Sequence, residues 1–198
     1  MRKEIYEPYF KGKNITVMGL GLLGRGIGDT AFLAKNGAEV IVTDKKTKTD
    51  LTPSLLQLEE YGGITYRFGE HTKEDFEKKD FILEAAGVPY DSEYILHAKK
   101  LGIPIYMSAA LMCTIIMRHL PNTVIIGVTG TRGKSTTTQM IAHILRENGT
   151  RVFVGGNVRG VANLPLLEEI EDGDMLVLEL DSWQLQGFGE LKLSPHIT

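Results

Sequence analysis

Val124-Ile-Ile-Gly-Val-Thr-Gly-Thr-Arg-Gly-Lys-Ser-Thr-Thr-Thr138 is the stretch on which the reading of this chain turns. Val124 to Val128 is a short, mostly β-branched apolar run, the composition of a buried strand. Gly130 and Gly133 then interrupt it. From Lys134 the pattern becomes helical and runs to Glu147, where Asn148-Gly149 closes it. Strand, glycine loop and helix in this order line up successive backbone N–H groups as a nest for an anion, and the helix dipole adds to it. Lys134 supplies a point charge for the β- and γ-phosphates of a nucleotide, and the Ser135 hydroxyl suits Mg²⁺. The strict form of the loop has glycine where this chain has Val128. A threonine-capped helix start without a ligand explains the threonines, but not two glycines and a lysine at this spacing.

Such a loop needs a carboxylate near the metal, at the end of a neighbouring strand. Met175-Leu-Val-Leu-Glu-Leu180 offers one: four apolar residues, then Glu179. Ligands of open α/β sheets gather at the carboxyl ends of the strands, which is where Glu179 falls in this reading. A lone glutamate at a strand end is more often structural; with the loop upstream, a role at Mg²⁺ is the better reading.

Upstream, the same alternation repeats. Ile15 to Gly19 reads as a strand and Leu23 to Asn36 as a helix, ended by Gly37. Glu39 to Thr43 is a second strand. Thr52-Pro53 opens a helix to about Tyr61. Ile64 to Phe68, Phe81 to Ala85 and Ile103 to Met107 are strands, and Ser92 to Leu101 a helix. Beyond the loop helix, Val152 to Val154 is a strand and Leu164 to Ile170 a short helix. Strands alternating with helices predict parallel sheets covered by helices. The pattern restarts between about Met117 and Thr123, which predicts domains over 1–119 and 120–198.

The first strand feeds a second glycine loop, Gly19-Leu-Gly-Leu-Leu-Gly24, with Asp44 closing the next strand. In a strand–turn–helix context such a loop brings the backbone and a helix N-terminus up to a pyrophosphate, and the acid can accept from a ribose hydroxyl. Two ligands fit, a dinucleotide such as NAD or a nucleotide diphosphate such as a UDP-sugar, and the loop alone does not separate them. A tight turn with no ligand is the bland alternative. Lys45 and Lys46 stand ready for phosphate or form a solvated turn.

The bulk composition narrows the classes. The chain has 198 residues, 42% of them hydrophobic and 24% charged, enough for a buried core in one or two domains. The net charge of −3 gives no basic field for nucleic acid or an acidic membrane surface. The single cysteine, Cys113, excludes an intramolecular disulfide and fits a reducing cytoplasm. It sits in the apolar run Ala109 to Met117, read as a buried helix too short to span a bilayer. None of the five histidines has metal-ligand spacing.

Three segments together resemble the Mur ligases. Gly130-Thr-Arg-Gly-Lys-Ser-Thr136 is similar to the family's ATP loop, Val154-Gly-Gly-Asn157 to its G-G-N segment, and Leu178-Glu-Leu-Asp-Ser-Trp-Gln-Leu185 to its E-x-S-[SF]-x-Q-L stretch, in the same order and spacing. Lys11 to Gly24 resembles the N-terminal domain of the D-glutamate-adding branch. The resemblance implies a Rossmann-like domain followed by an incomplete P-loop ATPase-like α/β domain. It further implies an ATP-dependent amide ligase of peptidoglycan precursor synthesis, cytoplasmic and monomeric, joining D-glutamate to UDP-N-acetylmuramoyl-L-alanine through an acyl phosphate. Gly130, Thr131, Arg132, Gly133, Lys134, Ser135 and Thr136 would hold ATP, and Ser135 and Glu179 the Mg²⁺, with Lys134 and Glu179 catalytic. Gly19, Gly21, Leu22, Leu23, Gly24, Asp44, Lys45 and Gly87 would line the UDP-sugar pocket, Asn157 would sit near the muramoyl substrate, and Ser182 and Gln184 would support the substrate site.

The chain departs from the family at Arg132 (usually asparagine), Asp181 (usually serine) and Leu23 (usually serine or threonine). The family's downstream histidine motif, modified lysine and C-terminal domain have no counterpart in these 198 residues, which alone are expected to bind a nucleotide sugar at best and not to ligate. The alternatives are the L-alanine-adding ligase, whose ATP loop usually has histidine at the place of Arg132, a non-catalytic homologue, or an NAD-binding domain fused to a P-loop regulator.

Overall fold

Short apolar runs separated by glycine turns become parallel strands in the computed structural model, which describes residues 1–22 and 24–198. A short helix α1 (Lys3–Tyr6) precedes strand β1 (Asn14–Met18), helix α2 (Arg25–Lys35), β2 (Glu39–Asp44), α3 (Thr52–Leu55), β3 (Ile64–Phe68), β4 (Phe81–Glu84), α4 (Glu93–Lys100) and β5 (Ile105–Met107). These strands form one parallel sheet in the order β3-β2-β1-β4-β5. That is the Rossmann order without its sixth strand. The order reverses between β1 and β4, and the loops leaving their carboxyl ends flank the switch point. Val17, Val40, Val42 and Ile82 are buried along its central strands. On one side Met18, Phe76, Ile82, Ile95, Ala98, Ile103 and Ile105 form a continuous apolar cluster with α4.

The rest of the chain gives α5 (Ser108–His119), β6 (Val124–Val128), α6 (Lys134–Glu147), β7 (Val152–Gly156), α7 (Leu166–Glu169), β8 (Met175–Glu179) and α8 (Ser182–Glu190). Here the sheet is parallel in the order β6-β8-β7, and Ile197 adds a single parallel bridge to Ile126 on the free edge of β6. Ala142 of α6 packs on Val152 and Val177 with Ile126, Val128 and Ile141 around them. The two sheets belong to two compact units, Glu7–Ser108 and Met1–Tyr6 with Ala109–Thr198. The alternation of the sequence restarts near Pro121, whereas compaction changes at Ser108. Helix α5 counts with the second unit, and with it the buried Cys113, whose thiol burial pushes far above its ordinary value.

Two helices depart most from the sequence reading. The helix expected from Thr52 to Tyr61 stops at Leu55 and tightens into a 3₁₀ turn over Leu56–Leu58. The Thr52 hydroxyl, expected to cap the helix, instead donates to Lys48 O. Helix α8 was not anticipated. Gly187 and Gly189 weaken its propensity, and its start is stabilised by a cap described below.

Candidate functional site

The phosphate loop leaves β6 at Val128 and enters α6 at Lys134, with Gly133 as the N-cap in a left-handed conformation. No side chain caps this helix, so its first N–H groups remain directed at the loop. Thr131, Arg132, Gly133, Ser135 and Thr136 are exposed. The Lys134 ammonium folds back and donates to Gly130 O at 2.9 Å. The lysine expected at the phosphates is therefore already held over the loop, and a phosphate offers it a stronger, charged acceptor than a carbonyl.

Glu179 ends β8, the central strand of this sheet. It is paired in register with Val128 on one side and Gly156 on the other. Leu180 N–H donates to Val128 O and Asn157 N–H to Glu179 O, at 2.8 and 2.7 Å. The loop root, Glu179 and Asn157 thus share one sheet edge. Close approach explains the glycines of the Gly155-Gly156 pair. Gly156 has φ +83, and a Cβ there would stand 2.1 Å from Glu179 O. Asn163, 1% exposed, locks this turn by accepting from Gly156 N–H at 2.7 Å. Sequence reasoning missed Asn163, because a contact to a backbone group seven residues away leaves no motif.

Glu179 is 6% exposed, and its carboxylate takes part in none of the side-chain hydrogen bonds or ion pairs among the described residues. Its oxygens are thus left for a metal at the strand edge. Among the described residues there is no cluster of three or more His, Cys, Asp or Glu able to hold a metal by itself. Mg²⁺ suits such a sparse site, since it takes one or two protein oxygens and completes its shell with phosphates and water. One hydroxyl and one carboxylate, Ser135 and Glu179, fit that demand.

Asp181, standing where the resemblance leads one to expect serine, has a local task. It is the N-cap of α8, and its Oδ1 accepts from Gln184 N–H at 2.8 Å. Gln184 is buried, and its Oε1 has no hydrogen-bond partner; Ser182 is exposed on the first turn.

In the first unit, Gly19, Gly21 and Gly24 all take positive φ (92°, 66° and 89°), so the loop has the glycine-dependent turn its spacing predicted. Gly24 is the N-cap of α2. Asp44 does not stand free to meet a ribose. Its Oδ2 accepts from Leu20 N–H and Gly21 N–H at 3.0 and 3.2 Å, and its Oδ1 from Lys46 N–H at 2.9 Å. With two acceptor sites per oxygen, only Oδ1 keeps one for a ligand. Leu22 is 51% exposed at the loop tip, Lys45 is exposed after Asp44, and Gly87 is exposed in the loop after β4. Leu23 lies outside the described residues. Beneath Asp44, the Thr43 hydroxyl and His71 Nδ1 are 2.7 Å apart. Burial holds His71 below the usual histidine value, Lys45 adds to the shift, and Asp44 and Asp75 oppose it.

Comparison with known proteins agrees with this geometry. Residues 13–107 match the profile of the Mur ligase MurD-like N-terminal domain, and residues 128–197 that of the Mur ligase middle domain. The two matches cover both glycine loops, Asn157, Glu179 and Gln184. The chain belongs to the Mur ligase family. Among the curated Mur ligases, UDP-N-acetylmuramoylalanine--D-glutamate ligase of Roseiflexus sp. (strain RS-1) is 41% identical over 188 residues, 94% of this chain and 38% of that protein. The protein of the same name from Borreliella afzelii (strain PKo) is 36% identical over 177 residues, 89% of this chain and 37% of its own length. The chain therefore spans under two fifths of the length of these Mur ligases. The solved UDP-N-acetylmuramate:L-alanyl-gamma-D-glutamyl-meso-diaminopimelate ligase from Neisseria meningitides is 19% identical, with 85% of this chain and 52% of that one aligned at a TM-score of 0.49. No helix among the described residues is long and apolar enough to cross a membrane.

Proposed function

We propose that this chain is the nucleotide-handling part of an ATP-dependent ligase that joins D-glutamate to UDP-N-acetylmuramoyl-L-alanine. The observation that carries the reading is the shared strand edge: the phosphate loop, Asn157 and Glu179 meet at the carboxyl ends of β6, β7 and β8. Curated relatives named for that reaction align with nearly the whole chain, which supports the choice of substrates.

In this reading, residues 120–198 take ATP and residues 1–119 the UDP-sugar. The muramoyl-alanine carboxylate is a poor electrophile because its charge repels an incoming amine. Its oxygen attacks the γ-phosphorus of ATP, the bond to the bridging oxygen breaks, and ADP leaves with the electron pair. The acyl phosphate so formed has lost that charge and carries a leaving group. The D-glutamate amine adds to its carbonyl carbon, phosphate departs, the amine gives up a proton, and an amide remains. The chain's own share is to orient and to stabilise charge. The loop N–H groups and the α6 N-terminus receive the phosphates, and Lys134 exchanges Gly130 O for a phosphate oxygen. Ser135 and Glu179 would hold Mg²⁺, which neutralises charge on the transferring phosphoryl group. Asn157 serves the muramoyl group, Ser182 and Gln184 support the site, and Gly19, Gly21, Leu22, Gly24, Lys45 and Gly87 receive the UDP moiety. Asp44 acts mainly through the loop it clamps. A monomer suffices, since both loops lie on one chain, and the reducing cytoplasm fits the single buried thiol.

The test is Lys134→Ala in the full-length ligase, followed by trapping of the acyl phosphate with hydroxylamine. The reading expects ATP-dependent trapping to vanish. Undiminished trapping, or turnover at the wild-type rate, would sink it.

A further inference from the structure

Leu22, at the tip of the first glycine loop, stands in solvent, and nothing lies within 4 Å of where a Cβ on Gly21 would point. Side-chain packing therefore does not fix the Gly21 peptide; hydrogen bonds do. Asp44 Oδ2 accepts from Gly21 N–H at 3.2 Å, and Ser54, on α3, donates its hydroxyl to Gly21 O at 3.1 Å. Ser54 is 2% exposed and 33 residues away in sequence. A buried hydroxyl is kept only where it finds a partner, and this one finds it on the loop.

We propose that Ser54 is a positioning residue for the UDP-sugar site. It fixes the carbonyl side of Gly21 while Asp44 fixes the amide side, so that the Gly21 peptide is already in place when a diphosphate arrives. This rests on the UDP-sugar reading of the loop. Without the hydroxyl, the peptide must be ordered as the ligand arrives, and the ordering cost comes out of the affinity.

Because the loop serves the phosphates, the effect is specific to the diphosphate. Calorimetric titration of the 198-residue chain with UDP and with uridine separates the contributions. In Ser54→Ala, UDP affinity falls about fivefold, the size of one net hydrogen bond, while uridine affinity stays at the wild-type value. Ser54→Cys fills the same space with a weaker donor and falls nearer to alanine than to serine. This variant also decides the matter if alanine fails to fold. A UDP-to-uridine ratio that is unchanged in Ser54→Ala, or one fully restored by cysteine, overturns the proposal and leaves the UDP-sugar reading standing. A wild-type chain that binds neither ligand overturns both.

Discussion

Replacing Gly156 by alanine should disable the strand edge on which the proposed chemistry depends, and the loss follows from three contacts. The residue has φ +83, where an L side chain costs about 1–2 kcal/mol. Its new Cβ would sit 2.1 Å from Glu179 O, with Glu179 C and N at 3.0 Å, all backbone atoms that cannot swing away. Relief requires the Gly156–Asn157 segment to lift from β8. That breaks the Asn157 N–H bond to Glu179 O and strains the Gly156 N–H bond to Asn163, both 2.7 Å, at about 1 kcal/mol each. The total is about 3–4 kcal/mol. Gly149→Ala is the internal control, because Gly149 has φ +81 but nothing within 4 Å of its Cβ position. It should lose only the dihedral part. Trp183, the sole tryptophan, lies on α8 in the same compact unit and reports its unfolding in urea. With a slope of about 2 kcal/mol per molar, Gly156→Ala should lower the midpoint by about 1.5–2 M and Gly149→Ala by under about 1 M. Equal midpoints for the two variants would refute the close-approach argument.

Other outcomes follow from the same contacts. Asp181→Ala removes the α8 N-cap and should cost about 1 kcal/mol, read from the same urea transition; Asp181→Ser should recover most of it. His71 holds its proton less tightly in the fold than in the unfolded chain, so the unfolded chain takes up the proton first as pH falls. Stability of the Glu7–Ser108 unit should be undiminished above about pH 6.5 and decline below it, and His71→Gln should flatten that slope in urea titrations from pH 7.5 to 5. A slope that survives the substitution assigns the pH dependence elsewhere.

Much of the site was legible because its chemistry is written in contiguous residues. Glycine, lysine and serine at the mouth of a helix name a phosphate loop by spacing alone, and helix α6 begins and ends where the periodicity and Asn148-Gly149 put it. Glu179 was legible as four apolar residues before an acid, and the register of β8 between β6 and β7 bears out its strand-end position. What stayed hidden is the set of side chains whose partners lie elsewhere in the chain. Ser54, Asn163 and His71 each bond to a group that only the fold brings near. Asp44 shows the limit from the other direction. Its position at the end of β2 was legible, yet three of its four acceptor sites are taken by loop amides, which leaves one for a ribose. Helix α8 was missed because two glycines mask its periodicity, while its cap reaches only three residues ahead.

What the first loop binds decides between a UDP-sugar ligase and a dinucleotide-binding protein. The direct measurement is a backbone amide NMR titration of the 198-residue chain with UDP-N-acetylmuramoyl-L-alanine and, separately, with NADH. The account predicts saturable shifts at Gly19, Gly21, Leu22, Gly24 and Gly87 with the UDP-sugar and none with NADH. Saturation of those same amides by NADH, with the UDP-sugar leaving them unmoved, would contradict it.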